Sequence, residues 1–372
     1  MRPRLVDQYT YPDILEAYMD CRRRKRNSIP CFKYDISFEH NLIELLDQIN
    51  NGTYTIGSSR VFVVTWPKAR EVWAALFRDR IVHHLVCRDI APFYVSRFIH
   101  TNCACIEGRG TLYAVNWLEK YCRSITENWH KEAFALQFDI KNFFVSVDRE
   151  LLWSILAKDI GETSLTSRLL KQIIFHDITE NAIVKRGTNF NLVPRHKSLW
   201  YAPKGKGLPI GDLPSQLCAS GVYLDGLDKF CKHVLKIKRY VRYVDDGVAL
   251  FKTRDEAEHC KEEINRWLKE NRLLELALSK TKIFPVSQGI NFVGTIILPF
   301  RRYVRNMSVG SSRKAVQKLR ANPLDRHAFD GVNSYLGLMQ HSNTFKLRKR
   351  ICTAVANSSL NCDKKYNKIF YL

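Results

Sequence analysis

The sequence lacks any long apolar run. No stretch approaches the roughly 18 residues needed to span a bilayer. The N-terminus, MRPRLVDQYTYPDILEAY, carries charges and proline where a signal peptide needs an apolar segment. Internal repeats and low-complexity linkers are also missing from the sequence. We therefore expect a cytoplasmic protein that has no membrane among its partners.

Cysteine pairs of the kind that bind zinc are missing as well. The chain has 11 cysteines, an odd number, and they are scattered through hydrophobic surroundings. Only Cys103 and Cys105 lie close together, and no CxxC pair recurs with histidine at the spacing of a zinc site. We expect reduced, mostly buried thiols and no structural zinc.

Acidic residues are scarce relative to basic ones. Lys and Arg number 59 against 37 Asp and Glu, which gives a net charge of +22. Such an excess suits a polyanion, with nucleic acid as the first candidate and an anionic membrane surface as the weaker one. A hydrophobic content of 45% and a length of 372 residues predict a folded protein of two or three subdomains.

Hydrophobic periodicity gives a coarse secondary structure. It predicts strands at residues 61–65 and 276–284, helices at residues 72–89 and 217–235, and a basic, helical region from Arg301 onward. The basic run of residues 22–26 follows a predicted helix. It reads either as a solvated face or as a contact to an RNA backbone.

The stretch at residues 239–252, RYVRYVDDGVALFK, contains two short β-prone runs. Between them lie Asp245, Asp246 and Gly247, and an Asp-Gly pair in this position predicts a hairpin turn. Adjacent carboxylates repel each other unless a positive charge lies between them. The pattern indicates either a solvated hairpin tip or a site for a divalent cation.

A third acid, Asp139, follows the apolar strand predicted at residues 133–138. It could be a helix N-cap. Carboxylates from two neighbouring strands can also hold two Mg²⁺ ions about 3.5–4 Å apart for phosphoryl transfer. Nearby lysines would then meet the charge that develops on the phosphates.

Several segments, in order from about Phe62 to the C-terminus, resemble the motifs of reverse transcriptases. One such motif alone would be a weak signal, but the ordered series is highly specific. The segments are WPKAR (66–70) and RGT (109–111) of the fingers, FDIKNFF (138–144), LPIGDLPSQ (208–216) and YVDD (243–246) of the palm, the lysine motif LSKTKI (278–283) and the primer-grip hairpin INFVG (290–294).

The resemblance implies an α+β, right-hand polymerase fold. The palm would be a ferredoxin-like antiparallel sheet and the thumb would be helical and basic. The implied division is fingers at 1–132 with an N-terminal basic arm, palm at 133–149, an insertion between fingers and palm at 150–205, palm again at 206–297, and thumb at 298–372.

The resemblance also implies the catalytic roles. Asp139, Asp245 and Asp246, with the main-chain carbonyl of Ile140, would bind two Mg²⁺ ions, for which Mn²⁺ could substitute. Phe144 would be the steric gate that excludes ribonucleotides, although it could equally be a core aromatic. The other implied nucleotide-binding positions are Lys68, Arg70, Asn142, Phe143, Ile210, Gly211, Gln216 and Lys280. Lys282 is the second candidate for the lysine of its motif. The alternative for Lys280 is an exposed lysine at a strand end with no such role.

The implied partners are a noncoding template RNA, a primer with its growing cDNA, dNTPs, and an accessory protein or second reverse transcriptase. The positions expected to contact RNA or primer lie in the fingers, the primer grip and the thumb. They are Arg109, Phe292, Gly294, Arg313, Lys314, Lys318, Arg320, Arg348, Lys349 and Arg350.

The second palm motif departs from the common family pattern at Ile210. Most retroviral, retron and group II intron enzymes have glutamine before the glycine, whereas this chain has Ile210 before Gly211 and Gln216 after Ser215. That form resembles diversity-generating retroelement reverse transcriptases, which copy a template RNA with errors at adenines. Related forms occur in bacterial antiphage defence systems. Both remain open, with a slight preference for the first.

Two other classes of function are weaker alternatives. A catalytically silent RNA-binding scaffold would have little reason to keep three acids together with Phe144 and Lys280. An RNA-dependent RNA polymerase shares the palm but usually has a small or polar residue at the gate. The sequence therefore predicts an RNA-directed DNA polymerase, a nucleotidyltransferase.

Overall fold

The computed structural model describes residues 2–23, 25–66, 68–356 and 359–372. Arg24 of the basic run and Pro67 of the WPKAR segment lie outside the described residues. The helices are α1 (Tyr11–Arg22), α2 (Ile29–Asp35), α3 (Phe38–Asn50), α4 (Phe77–Arg97), α5 (Thr111–Ile125), α6 (Phe143–Ser146), α7 (Arg149–Ile160), α8 (Leu165–Phe175), α9 (Leu213–Ser215), α10 (Leu224–Lys229), α11 (Arg254–Arg272), α12 (Asn306–Ala321), α13 (Arg326–Met339) and α14 (Phe345–Val355).

The strands confirm the predicted α+β class. They are β1 (Arg60–Val64), β2 (Arg70–Ala74), β3 (Phe134–Asp139), β4 (Ile183–Val184), β5 (Tyr240–Tyr243), β6 (Asp246–Phe251), β7 (Lys282–Pro285), β8 (Ile290–Phe292), β9 (Thr295–Leu298), β10 (Arg301–Val304), β11 (Leu360–Cys362) and β12 (Ile369–Tyr371). Within the described ranges, no helix is long and apolar enough to cross a membrane.

The central sheet has the strand order β5-β6-β3-β7, and every neighbouring pair is antiparallel. Because side chains alternate along each strand, the two faces of the sheet pack into different hydrophobic cores. Leu136 and Phe138 pack in the core that includes Ile264 of α11, whereas Ala135 packs with Leu118 of α5. Helices thus cover both faces of the sheet and leave one end of β3 and β6 for the site.

A smaller sheet, ordered β2-β1-β4, lies in the predicted fingers. The prediction of a helix over residues 72–89 is wrong at its start. Val72 pairs with Phe62 across an antiparallel ladder, and the helix begins only at Phe77. The β-branched and aromatic residues of β2 gain more from cross-strand packing than from one further helical turn.

The long helix predicted at residues 217–235 forms, but it is not uniformly α-helical. The segments Gln216–Tyr223 and Phe230–Val234 are π-helical and flank α10. π-bulges are uncommon and occur frequently at functional sites. This helix carries the second palm motif at its N-terminal end.

The predicted thumb has a hydrophobic core of its own, formed by residues such as Leu319, Leu336 and Ile351. The expectation of a helical thumb is only partly met, because β10 pairs with β9 and the hairpin of β11 and β12 follows the last helix. The sheet β8-β9-β10 therefore crosses the predicted boundary at residue 298.

Candidate active site

The hairpin between β5 and β6 turns at Val244 and Asp245, earlier than the sequence predicted. The last residue of β5 pairs with Asp246, which already belongs to β6. Gly247 lies within β6 opposite Phe138, and a Cβ atom there would lie 2.2 Å from the Phe138 ring. The assignment of Asp-Gly to the turn is therefore wrong. Glycine is required at position 247 because the Phe138 ring occupies the space that a side chain would need.

Two strands bring the three acids together. Asp139 is the last residue of β3 and pairs in register with Asp246 of β6. Residues directly opposite each other have Cβ atoms about 4.5–5.5 Å apart and lie on the same face. Asp245 immediately precedes Asp246, and its carbonyl accepts a hydrogen bond of 3.2 Å from the amide of Ile140.

Two carboxylates of this cluster, those of Asp245 and Asp246, have raised pKa values. Burial first, and then the charges of Asp246 and Asp139, raise the pKa of Asp245 to about 7. The pKa of Asp246 is also raised, first by burial and then by Asp139. Like charges in a partly desolvated site have this effect. The site is therefore one that a cation would stabilise.

Lys280 supplies one positive charge to the cluster, since its Nζ atom lies 2.6 Å from Oδ1 of Asp139. The prediction of a strand over residues 276–284 is wrong in its first half. Leu278–Lys280 forms a 3₁₀ turn after Ala277, whose amide donates to the carbonyl of Asp139, and β7 begins at Lys282. The turn is what brings Lys280, rather than Lys282, to the acid.

The donor chemistry of the cluster fits a hard divalent cation. Mg²⁺ prefers carboxylate and carbonyl oxygens, and Asp139, Asp245, Asp246 and the carbonyl of Ile140 are of this type. In the described part of the chain, no three His, Cys, Asp or Glu side chains are already arranged as a metal site. The fit therefore rests on donor type and register, with the ammonium of Lys280 beside Asp139.

The gate candidate Phe144 lies in the short helix α6, directly after the acid strand. Asn142 precedes the helix in a left-handed conformation, with φ of 47°. Phe143 is buried, and its ring contacts that of Phe144 at a centroid distance of 5.2 Å. The ring of Phe144 is only half-buried, and its carbonyl accepts from the amide of Leu208. The first and second palm motifs are thereby joined beside it.

Ile210 is joined to the fingers through main-chain contacts. Its carbonyl accepts a hydrogen bond of 3.0 Å from the amide of Trp73 in β2. Gly211 has φ of 128°, and a Cβ there would lie 2.7 Å from the Trp73 carbonyl oxygen. A residue with a side chain would push β2 away from the second motif. The half-buried Ile210 therefore sits where the two segments meet.

The remaining predicted nucleotide-binding residues lie around this junction. Lys68 and Arg70 are exposed in the segment that enters β2. The charge of Arg70 reaches the cluster, because it lowers the pKa of Asp245 against the larger effect of burial. Gln216 is half-buried at the start of the first π-helical segment, and its carbonyl accepts from the hydroxyl of Ser220.

Three residues expected to contact RNA or primer are instead engaged within the protein. Arg348 is buried, and its guanidinium donates to the carbonyls of Lys365 and Tyr366. Phe292 is 1% exposed and belongs to the core beneath the sheet. Arg109 donates to two main-chain carbonyls of the loop that precedes it. These side chains make hydrogen bonds or packing contacts inside the protein, and sequence patterns do not show such contacts.

The other expected contacts are accessible. Gly294 lies in the turn between β8 and β9, with φ of 95°. The exposed basic residues among these expected contacts are Arg313, Lys314, Lys318 and Arg320 on α12, and Lys349 and Arg350 on α14.

Sequence reasoning missed Arg242, which binds the hairpin of β5 and β6 from inside the protein. Its guanidinium is fully buried and pairs with both carboxylate oxygens of Asp228, at 2.7 and 2.6 Å. It also donates to the carbonyls of Ser220 and Val244, at 2.8 and 2.7 Å. Val244 has φ of 57°, a strained value for a β-branched residue. The arginine inside an otherwise apolar strand was the available signal.

Comparison with known proteins agrees with this geometry. Residues 68–297 match the family model of reverse transcriptases (RNA-dependent DNA polymerases). No curated protein matches the chain. Apo telomerase from Candida tropicalis is similar in fold, with 12% identity, a TM-score of 0.51, and coverage of 81% of this chain and 57% of that one. Telomerase from Candida albicans, in complex with a TWJ fragment of telomeric RNA, has 10% identity, a TM-score of 0.46, and coverage of 81% and 55%.

The chain thus spans little more than half the length of those two telomerases. The likeness to the Candida tropicalis structure concerns the fold alone, which is the α+β right hand of these polymerases. Reverse transcriptases generally use divalent metal ions, which the oxygen donors of the cluster fit. Because the family model covers more than half of its residues, the chain belongs to the reverse transcriptase (RNA-dependent DNA polymerase) family.

Proposed function

We propose that the protein copies a dedicated noncoding RNA into cDNA by two-metal nucleotidyl transfer, as part of a diversity-generating retroelement. The supporting observation for the chemistry is the register of Asp139 against Asp246, with Asp245 in the adjoining turn. Three carboxylates held close together by two neighbouring strands and the adjoining turn are what such a reaction needs. The ammonium of Lys280 beside Asp139 adds a charge that can meet a phosphate.

Asp139, Asp245, Asp246 and the carbonyl of Ile140 would hold two Mg²⁺ ions, which when bound activate the primer hydroxyl and neutralise the leaving pyrophosphate. The chain itself does the positioning. The main-chain amides around Asn142 bind the triphosphate, and exposed Lys68 and Arg70 approach it from the fingers. The half-exposed ring of Phe144 occupies the space that a ribose 2′-hydroxyl would need.

The test is primer extension by the purified chain. A DNA primer annealed to an RNA template is incubated with Mg²⁺ and either dNTPs or rNTPs, and the products are resolved by length. We expect extension with dNTPs only. No extension with either set would favour a silent RNA-binding scaffold, and extension with rNTPs would favour an RNA polymerase. Sequencing the RNA that copurifies with the protein identifies the template, and mass spectrometry of the same sample identifies any accessory protein.

The proposal of a diversity-generating retroelement rests on Ile210. An aliphatic side chain there contributes packing but no directional hydrogen bond, so a mispair that fits sterically loses little discrimination. The residue lies where β2 meets the second palm motif, through the contact of its carbonyl with Trp73. We therefore expect errors in cDNA synthesis, concentrated opposite template adenines.

Replacing Ile210 with glutamine tests this reading. One hydrogen bond contributes roughly 0.5–1.5 kcal/mol, so Ile210→Gln should lower misincorporation about two- to tenfold. The readout is deep sequencing of cDNA made on one template by wild type, Ile210→Gln and Ile36→Gln, which changes an isoleucine that is 71% exposed. Faithful copying of adenines by the wild type would overturn the diversity-generating reading and favour an antiphage defence system.

A further inference from the structure

A cavity of about 500 Å³ lies in the predicted fingers, outside the carboxylate cluster. It is bounded by β2 on one side and by the 3₁₀ turns of residues 190–201 on the other. Its volume is in the range of small-molecule sites. None of the roles proposed above uses it.

One wall of the cavity is aromatic and partly exposed. Trp200 and Tyr201 line it and are 39% and 59% exposed. The ring of Phe190, also in the wall, meets that of Trp200 edge-on at 6.3 Å, and the buried ring of Trp73 contacts that of Trp200 at a centroid distance of 5.1 Å. Exposed flat rings with a rigid support are the usual platforms on which unpaired bases stack.

The cavity also contains a buried acid with an unused oxygen. Glu71 lines it and is only 4% exposed. Its Oε2 atom accepts a hydrogen bond of 3.0 Å from the amide of Leu199. Its Oε1 atom has no partner among the residues that the structure describes. A buried carboxylate oxygen without a donor is costly, so a ligand N–H group in this cavity would be strongly favoured.

The segment that lines the cavity is strongly basic. The guanidinium of Arg195 lies over the Tyr201 ring at 5.1 Å and also lines the cavity. Other exposed basic residues of the same insertion are Lys185, Arg186, Lys197 and Lys204. This charge attracts a phosphate backbone, whereas the acid inside selects for a hydrogen-bond donor.

We propose that this cavity binds one unpaired guanine of an RNA strand, stacked on Trp200 with its N1–H and N2–H groups directed at Glu71. Guanine presents two adjacent donors to a carboxylate. Adenine and cytosine present one donor beside an acceptor, and uracil presents one donor between two carbonyls. The inference rests on the proposed function only in taking RNA as the polyanion.

Strand β2 connects the cavity to the nucleotide site. Trp73, whose ring contacts that of Trp200, donates its amide to the carbonyl of Ile210. A guanine held against Trp200 would therefore fix the RNA beside the second palm motif. The site would select which RNA is copied by recognising a base away from the nucleotide being copied.

The test measures RNA binding by the full chain without dNTPs or metal. Fluorescence anisotropy compares oligouridylate of six nucleotides with the same strand carrying one guanine or one adenine. We expect the guanine strand to bind about tenfold more tightly. Trp200→Leu should remove about this factor, and the isosteric Glu71→Gln should abolish the preference for guanine. Glu180→Gln, an exposed acid of the same insertion, is the matched control and should change nothing.

Equal affinity for the three strands, or equal loss for all three in Trp200→Leu, would overturn the proposal. Guanosine 5′-monophosphate serves as a second probe: competition by it at the affinity of the RNA strand would make the site one for free guanine nucleotides instead. Since Trp200 is partly exposed, its variant remains informative if Glu71→Gln fails to fold. Extension of oligo(dT) on poly(rA), which contains no guanine, is scored separately and tests only the polymerase function.

Discussion

At the scale of single residues, function depends on side chains that are placed by their neighbours rather than by their own sequence context. Phe143 and Phe144 are adjacent in the sequence, yet one is buried and the other half-exposed. Asp245 and Asp246 are adjacent too, yet one lies in a turn and the other in a strand. In each pair, two neighbouring residues of the same type have different structural surroundings.

Removing the ring of Phe144 should open the nucleotide site to ribose. Phe144→Ala is expected to raise the ratio of rNTP to dNTP incorporation efficiency by at least about tenfold, because the steric barrier is lost. Single-nucleotide incorporation assays measure this ratio. Phe32→Ala removes a ring that is 64% exposed on α2 and is the control. An unchanged ratio in Phe144→Ala would make the ring a core residue only.

A buried pair beside the second palm motif should give a measurable pH dependence of stability. Oδ1 of Asp212 lies 3.9 Å from Nδ1 of His83. Burial raises the pKa of Asp212 to about 7 from 3.8, and burial lowers the pKa of His83 to about 3 from 6.5. The Asp212 contribution is therefore complete below about pH 4 and is lost as the pH rises to 7. The His83 contribution has the opposite sign and is lost as the pH falls from 6.5.

Asp212→Asn removes the pH dependence of stability that comes from Asp212 and keeps the one that comes from His83. Relative to wild type, the variant should gain up to about 4 kcal/mol in free energy of unfolding as the pH rises from 4 to 7. Urea unfolding at several pH values measures the difference, and Asp7→Asn, at an exposed position, is the control. A difference that stays constant with pH would show that Asp212 does not titrate in this range.

At the scale of elements, the hairpin of β5 and β6 shows what the sequence could and could not predict. Its two strands follow from β-branched and aromatic runs, and its position was predicted correctly. The position of its turn was predicted wrongly, because the sequence neighbours of Gly247 are typical of a turn. The Phe138 ring that needs this glycine comes from a strand about a hundred residues earlier. Tertiary packing of this kind leaves no local signal.

The hairpin should depend on Arg242 for both stability and activity. Arg242→Met leaves Asp228 as an uncompensated buried charge and is expected to cost about 3–5 kcal/mol. The double variant Arg242→Met/Asp228→Leu should recover most of that stability but not the activity, because the carbonyl of Val244 still lacks its donor. Chemical unfolding and primer extension are measured on the same samples.

The exposed Arg254→Met is the control for this series and should leave both quantities unchanged. Recovery of activity together with stability in the double variant would show that Arg242 supports folding alone. In that case it would have no part in positioning the Val244–Asp245 turn.

At the scale of the whole molecule, charge is divided between an acidic cluster and basic surfaces. The sequence was sufficient to predict the fold class and the enzyme family, because the motifs that indicate them are local patterns. It could not identify the thumb residues used inside the protein. In sequence, Arg348 cannot be distinguished from its basic neighbours Lys349 and Arg350. Within the part of the chain that the structure describes, it alone of the three donates to the carbonyls of residues 365 and 366.

The exposed basic face of α12 should contribute to RNA affinity in a salt-dependent way. Changing Arg313, Lys314, Lys318 and Arg320 to alanine is expected to weaken RNA binding and to flatten its dependence on salt by roughly one unit of slope per lost phosphate contact. The control changes four exposed basic residues at and before α11: Lys252, Arg254, Arg266 and Lys269. Equal affinity and slope in both variants would make the α12 charge a solvated surface.

The most direct test of the account is primer extension by Asp245→Asn/Asp246→Asn. Both changes keep the size of the side chains and remove two carboxylates from the cluster around Asp139. Glu262→Gln, an exposed acid on α11, is the matched control. The account predicts that Mg²⁺-dependent extension of a primed RNA template falls below about 1% of wild type in the double variant and is unchanged in the control. Extension well above that level would contradict the assignment of these acids to the chemistry.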